Sequence, residues 1–530
     1  MSIGRERNAD PPRARPERAD PGWPRILGEA ALLVAAMLLG CRFPFAGLGW
    51  MEALFASLAV FLFMACSFRG RRLVWSYLGM FLGLMGIFSW VARTLETKGG
   101  LPYPLALLGT SLFYLYEAAG FTAVLAAARW VHRRSGSAWA AGAAAGFAIL
   151  LWEIHGFHVY QCGWGATLAG LPFLARSAAF ISTYGLSALM WGCAAATASL
   201  LASGRPWRVA LRPPALGLGL LTLLSGAWHL LPRSSERTLD VVVVQPNFTP
   251  GLRRPGMEEE LWARSDRILQ AKGLPRAGAA TLLLWPESAV LGRNDFLPDP
   301  RHQRQAKQRN LAWLFGTEGG EPGWRYFSYN LLRGESAEGP SFVQAKTEPM
   351  PFGERMPGPP WMRAWLDAKL GFVSQAAGRL TAASAFVFTT PQGTLRIHPL
   401  ICSEALIASR VQEGVALTGA ELLTNHTNDG WFDDSVATDL HAVQIRLRAV
   451  EAGLPMVRST LTGKSGIFRE DGSWALWGAP MTDTAHAFTL RWRPIRTPAR
   501  SPWVRWGLLL GLGLGTLLLA WRSRPHPSHP

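Results

Sequence analysis

The sequence has little charge for its length. Charged residues make up 17% of its 530 residues and hydrophobic residues 49%, with a mean hydropathy of +0.12, whereas an ordinary globular protein carries about 25% charged residues. This deficit excludes a disordered or purely soluble chain and indicates apolar segments that need lipid. The formal net charge is +17, but the arginines concentrate in short loops between apolar runs. There they set the orientation of a membrane protein, so we expect no nucleic-acid partner.

Motifs for metal ions and cofactors are missing as well. The sequence has neither a His-Glu-x-x-His nor a Cys-x-x-Cys motif. The Gly-Lys-Ser triplet that begins at Gly463 lacks the rest of a phosphate-binding loop. We therefore expect a protein that works without a metal ion or a cofactor.

Eight apolar runs predict eight transmembrane helices. The residues before them, 1–24, are rich in arginine and proline and are predicted to form a disordered cytoplasmic tail. Further runs follow the first one at once, so we do not expect it to be a cleaved signal peptide. The runs cover about residues 26–40, 46–67, 73–92, 105–128, 138–152, 177–202, 215–231 and 503–521.

The arginines favour one orientation of these helices, because cytoplasmic loops hold the excess of lysine and arginine. Arginine clusters follow the second, fourth and sixth runs, and the alternate loops hold fewer. These clusters are Arg69, Arg71 and Arg72, then Arg129, Arg133 and Arg134, then Arg205, Arg208 and Arg212. Residues from about 232 to 502 are therefore predicted to lie outside the cytoplasm, and the tail with Arg522 and Arg524 inside it.

We expect five parts in the chain. These are a disordered tail over 1–24, a transmembrane part over 25–232, an exported domain over 238–494, a last transmembrane helix over 503–521 and a cytoplasmic tail over 522–530.

Four polar residues lie at membrane depth or near its edge: Glu117, Glu153, His155 and His158. Ionisable groups there are costly and usually face an interior cavity. A buried structural hydrogen bond explains Glu117 equally well, whereas Glu153 and His155 favour the mouth of a cavity. Tryptophans at the predicted helix ends are typical of an aromatic belt: Trp50, Trp90, Trp164, Trp228 and Trp503.

The exported region has the pattern of an α/β domain. Residues 239–247 form a continuous β-branched run, typical of a buried strand. Helical spacing follows over 257–273, and strands alternating with helices indicate central sheets. Further strands are predicted over 280–288, 310–319, 325–334, 386–390 and 394–404, and a further helix over 405–415.

Cys402 is the one cysteine of this domain; the others are Cys41, Cys66, Cys162 and Cys193. A lone thiol is commonly buried and inert, but Cys402 lies between a predicted strand and a predicted helix. There we expect it to project into solvent, with its pKa lowered by the helix N-terminus. A thiol nucleophile needs a base and an oxyanion stabiliser. Glu287, at the end of another strand, and Lys346 offer these two groups.

Several motifs in this order resemble the nitrilase superfamily with its Glu-Lys-Cys triad. They are VVQPN, LLLWPES, Lys346 eight residues before Glu354 in PFGE, LICSE and NDGWF. With seven spans before these motifs and one after them, the chain resembles the apolipoprotein N-acyltransferase family. That resemblance implies a polytopic α-helical membrane protein of about eight spans with an inserted, extracytoplasmic αββα sandwich.

The resemblance also implies roles. Glu287 is the general base, Cys402 the nucleophile, and Lys346 stabilises the oxyanion together with the backbone N–H of Ser403. Glu354, Glu404 and Asn330 match further site residues of the family. Glu354 could instead cap a turn, and Asn330 could simply end a strand.

The chain departs from the family pattern at three places. Ser403 stands where the family usually has tyrosine, and Pro349 and Met350 precede the PFGE motif. The family's tryptophan shortly after the QPN strand is missing, because LRRPG occupies that place. These departures concern groups that would hold lipid rather than the triad.

The resemblance implies acyl transfer from a membrane phospholipid, through a thioester on Cys402, to the α-amine of a diacylglyceryl-cysteine lipoprotein. It implies the bacterial inner membrane, with the catalytic domain on the periplasmic side. A membrane-tethered amidase would use the same triad with water as the acceptor. A non-catalytic lipid-binding protein is a third possibility, and the intact triad argues against it.

Overall fold

The computed structural model describes residues 23–42, 49–68, 73–248, 256–290, 299–319, 329–370, 374–433 and 435–522. Most of the predicted N-terminal tail, the loop with Arg69, Arg71 and Arg72, the LRRPG segment up to residue 255 and the tail with Arg524 lie outside these residues.

In the described residues, helices cover most of each of the eight predicted apolar runs and form one bundle, called the helix bundle below. Its helices are α1 (Trp23–Arg42), α2 (Gly49–Phe68), α3 (Leu73–Ile87), α4 (Trp90–Thr97), α5 (Tyr103–Ser135), α6 (Ala138–His155), α7 (Pro172–Ala175), α8 (Ala178–Ala202), α9 (Trp207–Ala210) and α10 (Arg212–Ala227), joined by the C-terminal Pro502–Arg522.

Five of these stretches are long and apolar enough to cross a membrane: α5, α6, α8, the C-terminal helix and the stretch Trp207–Leu230. The pair α3 and α4 passes the same test only jointly, because the two helices are bent by 50°. In α1 and α2 the described apolar stretches are shorter, over 30–39 and 50–65. The count of eight spans therefore stays a prediction.

The prediction of one continuous helix over 73–92 is wrong. The chain bends between Ile87 and Trp90, where aromatic side chains turn towards the α/β region. Trp90 packs edge-on against Phe432 with ring centroids 4.9 Å apart, and Phe88 stacks on Tyr114 at 5.5 Å. The hydrophobic pattern carried no sign of this break, because the rings it serves come from distant parts of the chain.

Small residues let the central helices of the bundle approach closely. α6 and α8 meet along a stripe rich in glycine and alanine, and a Cβ added at Gly142 would lie only 2.8 Å from the carbonyl oxygen of Gly192. Such close backbone contact is the usual way in which membrane helices associate.

Among the described residues, twelve strands form two six-stranded sheets, called the α/β domain below together with their helices. The first sheet has the order β12-β1-β2-β3-β4-β5 and the second β11-β10-β9-β8-β7-β6. The strands are β1 (Arg237–Gln245), β2 (Thr281–Leu284), β3 (Ala312–Gly319), β4 (Tyr329–Ser336), β5 (Phe342–Ala345), β6 (Phe386–Thr390), β7 (Gly393–Ile401), β8 (Leu422–Thr427), β9 (Met456–Thr460), β10 (Ser465–Phe468), β11 (Trp474–Trp477) and β12 (Thr484–Trp492).

The longer helices of this domain that the structure describes are α11 (Met257–Ala271), α12 (Pro300–Gln308), α13 (Pro360–Leu370), α14 (Ala408–Thr418) and α15 (Val436–Ala452). The C-terminal bundle helix Pro502–Arg522 is α16. The predicted helix over 405–415 begins later than expected, since a 3-10 turn over Cys402–Leu406 precedes α14.

Alternate side chains of β1 explain why its sequence is apolar throughout. Val241 points into the layer between the two sheets and packs in one cluster with Ile397 of β7. Val242 points the other way, into a cluster with Leu261 of α11. On the far side, α14 and α15 cover the outer face of the second sheet. The domain is therefore a four-layer αββα sandwich, with both faces of each sheet buried.

α15 joins the α/β domain to the helix bundle through polar contacts. α8 is broken at Ser182, whose φ of 57° is left-handed, and this break leaves the Thr183 N–H outside the helical pattern. The Thr183 N–H donates to Glu451 Oε1 of α15 at 2.6 Å. Arg446 of α15 pairs with Glu52 of α2 at 3.4 Å, and both are buried. These contacts fix the domain over one end of the bundle.

Candidate active site

Strand ends bring the predicted triad together. Glu287 follows β2 of the first sheet, Cys402 follows β7 of the second, and Lys346 comes directly after β5. β2 pairs in parallel with β1 and β3, and β7 pairs in parallel with β8. The N–H of Asn428, just after β8, reaches Glu287, so the carboxyl ends of β2 and β7 lie at one end of the sandwich. The Lys346 N–H donates to the carbonyl of Asn330 in β4 at 2.8 Å, which anchors the lysine to the first sheet.

Lys346 lies between two carboxylates. Its Nζ is 2.7 Å from Glu354 Oε2 and 3.8 Å from Glu287 Oε1. The Asn330 side chain bridges the same pair, because its Nδ2 donates to Glu287 Oε1 at 2.6 Å and to Glu354 Oε1 at 2.9 Å. The Asn428 N–H donates to Glu287 Oε2 at 2.7 Å. Glu287, Lys346 and Asn330 are buried and Glu354 is half-buried, and their four side chains form one polar cluster.

Glu354 has a local contact as well as a contact with the lysine. Its Oε2 accepts the N–H of Met350 at 2.7 Å, so it does hold its own turn. Glu354 therefore does cap its turn, as the alternative predicted, but that role does not explain its 2.7 Å contact with Lys346. Asn330 lies inside the pairing of β3 with β4, opposite Glu318, rather than beyond the end of its strand.

Glu404 ties the lysine segment to the cysteine segment. Its Oε2 accepts the Ile401 N–H at 2.8 Å, and its Oε1 accepts the Thr347 hydroxyl at 2.7 Å. Neither Glu404 nor its neighbour Ser403 is among the side chains that line the cavity described below. Glu404 therefore holds Lys346 and Cys402 in place from behind the cavity wall.

The structure corrects the prediction for the Cys402 thiol. Cys402 is 8% exposed and does not project into solvent, because the helix bundle covers this end of the sandwich. Burial raises the pKa of the Cys402 thiol, the Glu287 carboxylate raises it further, and Lys346 opposes both. The predicted lowering by a helix N-terminus is wrong, since a short 3-10 turn follows the cysteine. The thiol therefore needs a base beside it.

The surrounding charges suit Glu287 to that task. Burial raises the pKa of the Glu287 carboxyl above its ordinary value, although Lys346 opposes the shift. A carboxylate with a raised pKa is a stronger base. Burial disfavours the charge of Lys346, but Glu354, Cys402 and Glu287 outweigh it and raise the pKa of the ammonium. Lys346 thus stays positively charged beside the thiol.

Cys402 itself has a left-handed backbone, with a φ of 50°. This conformation is unfavourable for a residue with a side chain and is kept only where the surroundings impose it. The side-chain Nδ2 of Asn425 in β8 donates to the Cys402 carbonyl at 3.1 Å, which fixes the turn.

Sequence reasoning missed a second buried polar cluster, which lies behind Cys402. Thr427 Oγ1 is 3.2 Å from Cys402 Sγ and 3.1 Å from Asp429 Oδ1. Asp429 pairs with Arg458 at 2.6 Å and with His441 at 3.0 Å. The NDGWF motif contains Asp429, but nothing in its spacing indicated that the chain returns through β9 and α15 to complete the cluster.

The triad faces a cavity of about 930 Å³ between the α/β domain and the helix bundle. Glu287, Lys346 and Cys402 lie on one wall. The opposite wall comes from the helix bundle and is mostly apolar, with Leu84, Ile87, Phe88, Leu105, Phe113 and Phe121 among its members.

Three of the four polar residues predicted near the membrane edge line this cavity: Glu117, Glu153 and His158. His158 Nδ1 is 2.9 Å from Glu117 Oε1, so Glu117 has both a structural hydrogen bond and a place on the wall. Glu153 Oε1 accepts the Trp164 N–H at 3.0 Å. His155 lies beside Trp506 instead, with ring centroids 6.3 Å apart.

Within the described part of the chain, no group of three or more His, Cys, Asp or Glu side chains could hold a metal ion.

Known proteins resemble the chain in both regions. Residues 35–196 match the model of the apolipoprotein N-acyltransferase N-terminal domain, and residues 343–482 match that of carbon-nitrogen hydrolase. Three curated relatives carry the name apolipoprotein N-acyltransferase. That of Allorhizobium ampelinum is 29% identical, covering 72% of this chain and 75% of the relative. That of Azotobacter vinelandii is 28% identical, covering 94% of this chain and 95% of the relative. That of Brucella suis is 30% identical, covering 72% of this chain and 73% of the relative.

Proposed function

The chain belongs to the apolipoprotein N-acyltransferase family, and we propose that it transfers an acyl chain from a membrane phospholipid to the N-terminal amine of a diacylglyceryl-cysteine lipoprotein. One observation carries this proposal. A single cavity joins the Glu287, Lys346 and Cys402 side chains to an apolar wall of helices suited to a membrane. An ester carbonyl could reach the thiol there while its acyl chain stays out of water.

The first half-reaction forms a thioester. Glu287 takes the proton of the Cys402 thiol, and the sulfur attacks the ester carbonyl of the phospholipid. Lys346 and the Ser403 N–H stabilise the negative oxygen of the tetrahedral intermediate. When the intermediate collapses, Glu287 returns the proton to the departing glycerol oxygen. The products are a lysophospholipid and an acyl group on Cys402.

The second half-reaction transfers the acyl group to the lipoprotein. The α-amine attacks the thioester carbonyl, and Glu287 accepts a proton from the nitrogen as the tetrahedral intermediate collapses. The C–S bond breaks, the Cys402 sulfur takes the proton back, and an amide is formed. Because each substrate reacts in turn with the same sulfur, we expect ping-pong kinetics.

A multi-pass membrane protein must present this site to the leaflet that holds both lipids. The arginine clusters after the second, fourth and sixth apolar runs support eight spans with the α/β domain on the periplasmic side of the bacterial inner membrane. A reporter that is active only in the cytoplasm should stay inactive when it is inserted near Arg379, and activity there would contradict this topology.

An amidase with the same triad would use water in place of the amine. The apolar wall favours a lipid donor, so we expect acyl transfer rather than hydrolysis. The purified full-length protein should be incubated with a phospholipid of known acyl mass and a diacylated lipopeptide. Mass analysis should show the peptide heavier by one acyl group, with an equal amount of lysophospholipid. Free fatty acid beside an unmodified peptide would indicate the amidase. The absence of any product would indicate a binding protein.

A further inference from the structure

The cluster behind Cys402 places a hydroxyl group against the reacting sulfur. Thr427 is the last residue of β8, and its Oγ1 lies 3.2 Å from Cys402 Sγ. Thr427 is fully buried, so its hydroxyl has protein neighbours rather than bulk solvent. The other neighbour is Asp429 Oδ1 at 3.1 Å. Because a hydroxyl carries one proton, it can donate to only one of these two atoms at a time.

Asp429 can only accept in this arrangement. Burial raises the pKa of the Asp429 carboxyl, but Arg458 and His441 outweigh burial and hold the pKa well below its usual range. The carboxylate also has other donors, since Arg458 Nη2 lies 2.6 Å from Oδ2 and His441 Nδ1 lies 3.0 Å from Oδ1. Asp429 therefore stays satisfied when Thr427 turns its proton elsewhere.

These contacts define two states of the hydroxyl. While Cys402 is a thiol, its S–H donates to Thr427 Oγ1 and the Thr427 O–H donates to Asp429. When the thiol proton has gone to Glu287, the sulfur is negative and becomes the stronger acceptor. The Thr427 O–H then turns to the sulfur.

We propose that Thr427 is a further catalytic residue, whose hydroxyl donates a hydrogen bond to the Cys402 sulfur when that sulfur is negative. The S–H bond breaks, an O–H bond forms on Glu287, and the proton of Thr427 stays on its own oxygen. The same hydrogen bond aids the later step in which sulfur leaves the second tetrahedral intermediate. This inference rests on Cys402 being the nucleophile of the proposed function.

Arg458 is a positioning residue for this hydroxyl. Its guanidinium is fully buried and contacts Asp429 Oδ2 through Nη2 and Asn425 Oδ1 through Nη1, the latter at 2.5 Å. Asn425 in turn holds the carbonyl of Cys402. One side chain thus fixes both the hydroxyl that faces the sulfur and the left-handed backbone that presents it.

Several charged and titratable groups lie near Cys402. Glu287, Lys346 and Glu354 face it from the cavity, and their charges act on its thiol. Asp429, His441 and Arg458 lie behind Thr427. Tyr160, from the loop after α6, also lies close enough to interact with the sulfur. Exchanging the Thr427 hydroxyl alone leaves all of these groups in place, so a change in the titration of Cys402 can be assigned to the hydroxyl.

The test uses Thr427→Val, which keeps the shape of the side chain and removes the hydroxyl, and Thr427→Ser, which keeps the hydroxyl. Alkylation of Cys402 by iodoacetamide is followed against pH in the purified full-length protein, by mass spectrometry of the Cys402 peptide. We expect Thr427→Val to move the midpoint upward by about one pH unit, the size expected for losing a hydrogen bond to a charged group. Thioester formation from phospholipid should slow about tenfold, and Thr427→Ser should stay close to wild type in both assays.

The matched control is Thr418→Val, at a buried threonine of α14 whose hydroxyl donates to the carbonyl of Gly414 in its own helix. It should leave the midpoint unchanged. An unchanged midpoint in folded Thr427→Val, or an equal loss in Thr427→Val and Thr427→Ser, would overturn the proposal. If Thr427→Val does not fold, Thr427→Ala takes its place with the same expected shift. Alkylation needs no lipid, so a wild-type protein that titrates as described but forms no thioester would refute the proposed function instead.

Discussion

The cavity has two unlike walls. The wall from the α/β domain holds Glu287 and Glu354 within 3.8 Å of the Lys346 ammonium, with Cys402 on the same wall. The wall from the helix bundle is mostly apolar and includes leucine, isoleucine and phenylalanine side chains. The first wall can activate a thiol and stabilise an oxyanion, whereas the second can hold an acyl chain. Chemistry and lipid binding should therefore respond to different substitutions.

The largest effect should come from Cys402 on the charged wall. We expect Cys402→Ser to abolish thioester formation and acyl transfer, because a hydroxyl with a carboxylate base is much harder to ionise than a thiol. Cys162→Ala and Cys193→Ala serve as controls in the described chain, and Cys41→Ala and Cys66→Ala complete the set. All four should retain activity in the lipopeptide assay. An essential cysteine among these four, with Cys402 dispensable, would show that the nucleophile is misassigned.

Glu287 should come next. Glu287→Gln keeps the shape and removes the basicity, so we expect thioester formation to fall by about 100- to 10,000-fold. In the wild type, the rate should fall as the pH drops through the pKa of Glu287, which lies above the ordinary value for glutamate. Lys346 should add no alkaline loss up to the ordinary pKa of lysine, because its own pKa is raised. The rates are measured as acyl-Cys402 formed against time at each pH.

The matched control for this substitution is Glu236→Gln, at an exposed glutamate just before β1. It should leave both the rate and its pH dependence unchanged. Thioester formation at a normal rate in Glu287→Gln would show that another group removes the thiol proton.

Lys346→Ala should lower the reaction rate somewhat less than Glu287→Gln does. Loss of one oxyanion donor typically lowers the rate by about 100- to 1,000-fold, and slow turnover should survive. Both the formation of the thioester and its transfer to the amine should slow, because each passes through a tetrahedral oxyanion. Single-turnover experiments with phospholipid alone, followed by lipopeptide, separate the two steps. Lys272→Ala, at an exposed lysine after α11, is the control. Wild-type kinetics of both steps in Lys346→Ala would rule out its role.

The smallest effect should come from the apolar wall. Phe113→Ala removes a half-buried ring of α5 from the cavity. We expect this loss to weaken phospholipid binding by about 1.4 kcal/mol, which raises KM for the phospholipid about tenfold. Alkylation of Cys402 should be unchanged. Phe173→Ala removes an exposed ring that does not line the cavity, so it should change neither KM for the phospholipid nor the alkylation of Cys402. A lower rate of alkylation in Phe113→Ala would mean that the two walls are not separable.

The triad and the polar cluster behind Cys402 differ in how far the sequence predicts them. Buried strands such as β1 and β2 are continuous apolar runs, so their positions and the polar residues that follow them could be predicted. Thr427, Asn425 and Arg458 could not, because their contacts arise only when β7, β8 and β9 pair side by side. The triad residues each end or follow a strand; the cluster behind them depends on the register of the sheet.

Burial of Cys402 was unpredictable for a similar reason. The strand-to-turn pattern around Cys402 is that of an exposed thiol, and only the helix bundle above it makes the site dry. The bend between α3 and α4 likewise depends on rings from other elements, such as Tyr160 and Phe432. Local patterns report which residues belong to an element, whereas the environment of a side chain depends on contacts between distant elements.

Cys402 should carry the acyl group between the two lipids. The most direct measurement is the mass of the Cys402 peptide after the full-length protein has met a phospholipid with an isotope-labelled acyl chain, before and after addition of a diacylated lipopeptide. We predict a peptide heavier by one labelled acyl group that is sensitive to hydroxylamine, and its disappearance as the label moves to the lipopeptide amine. Labelled lipopeptide formed without any labelled Cys402 peptide, under conditions that preserve thioesters, would contradict the account.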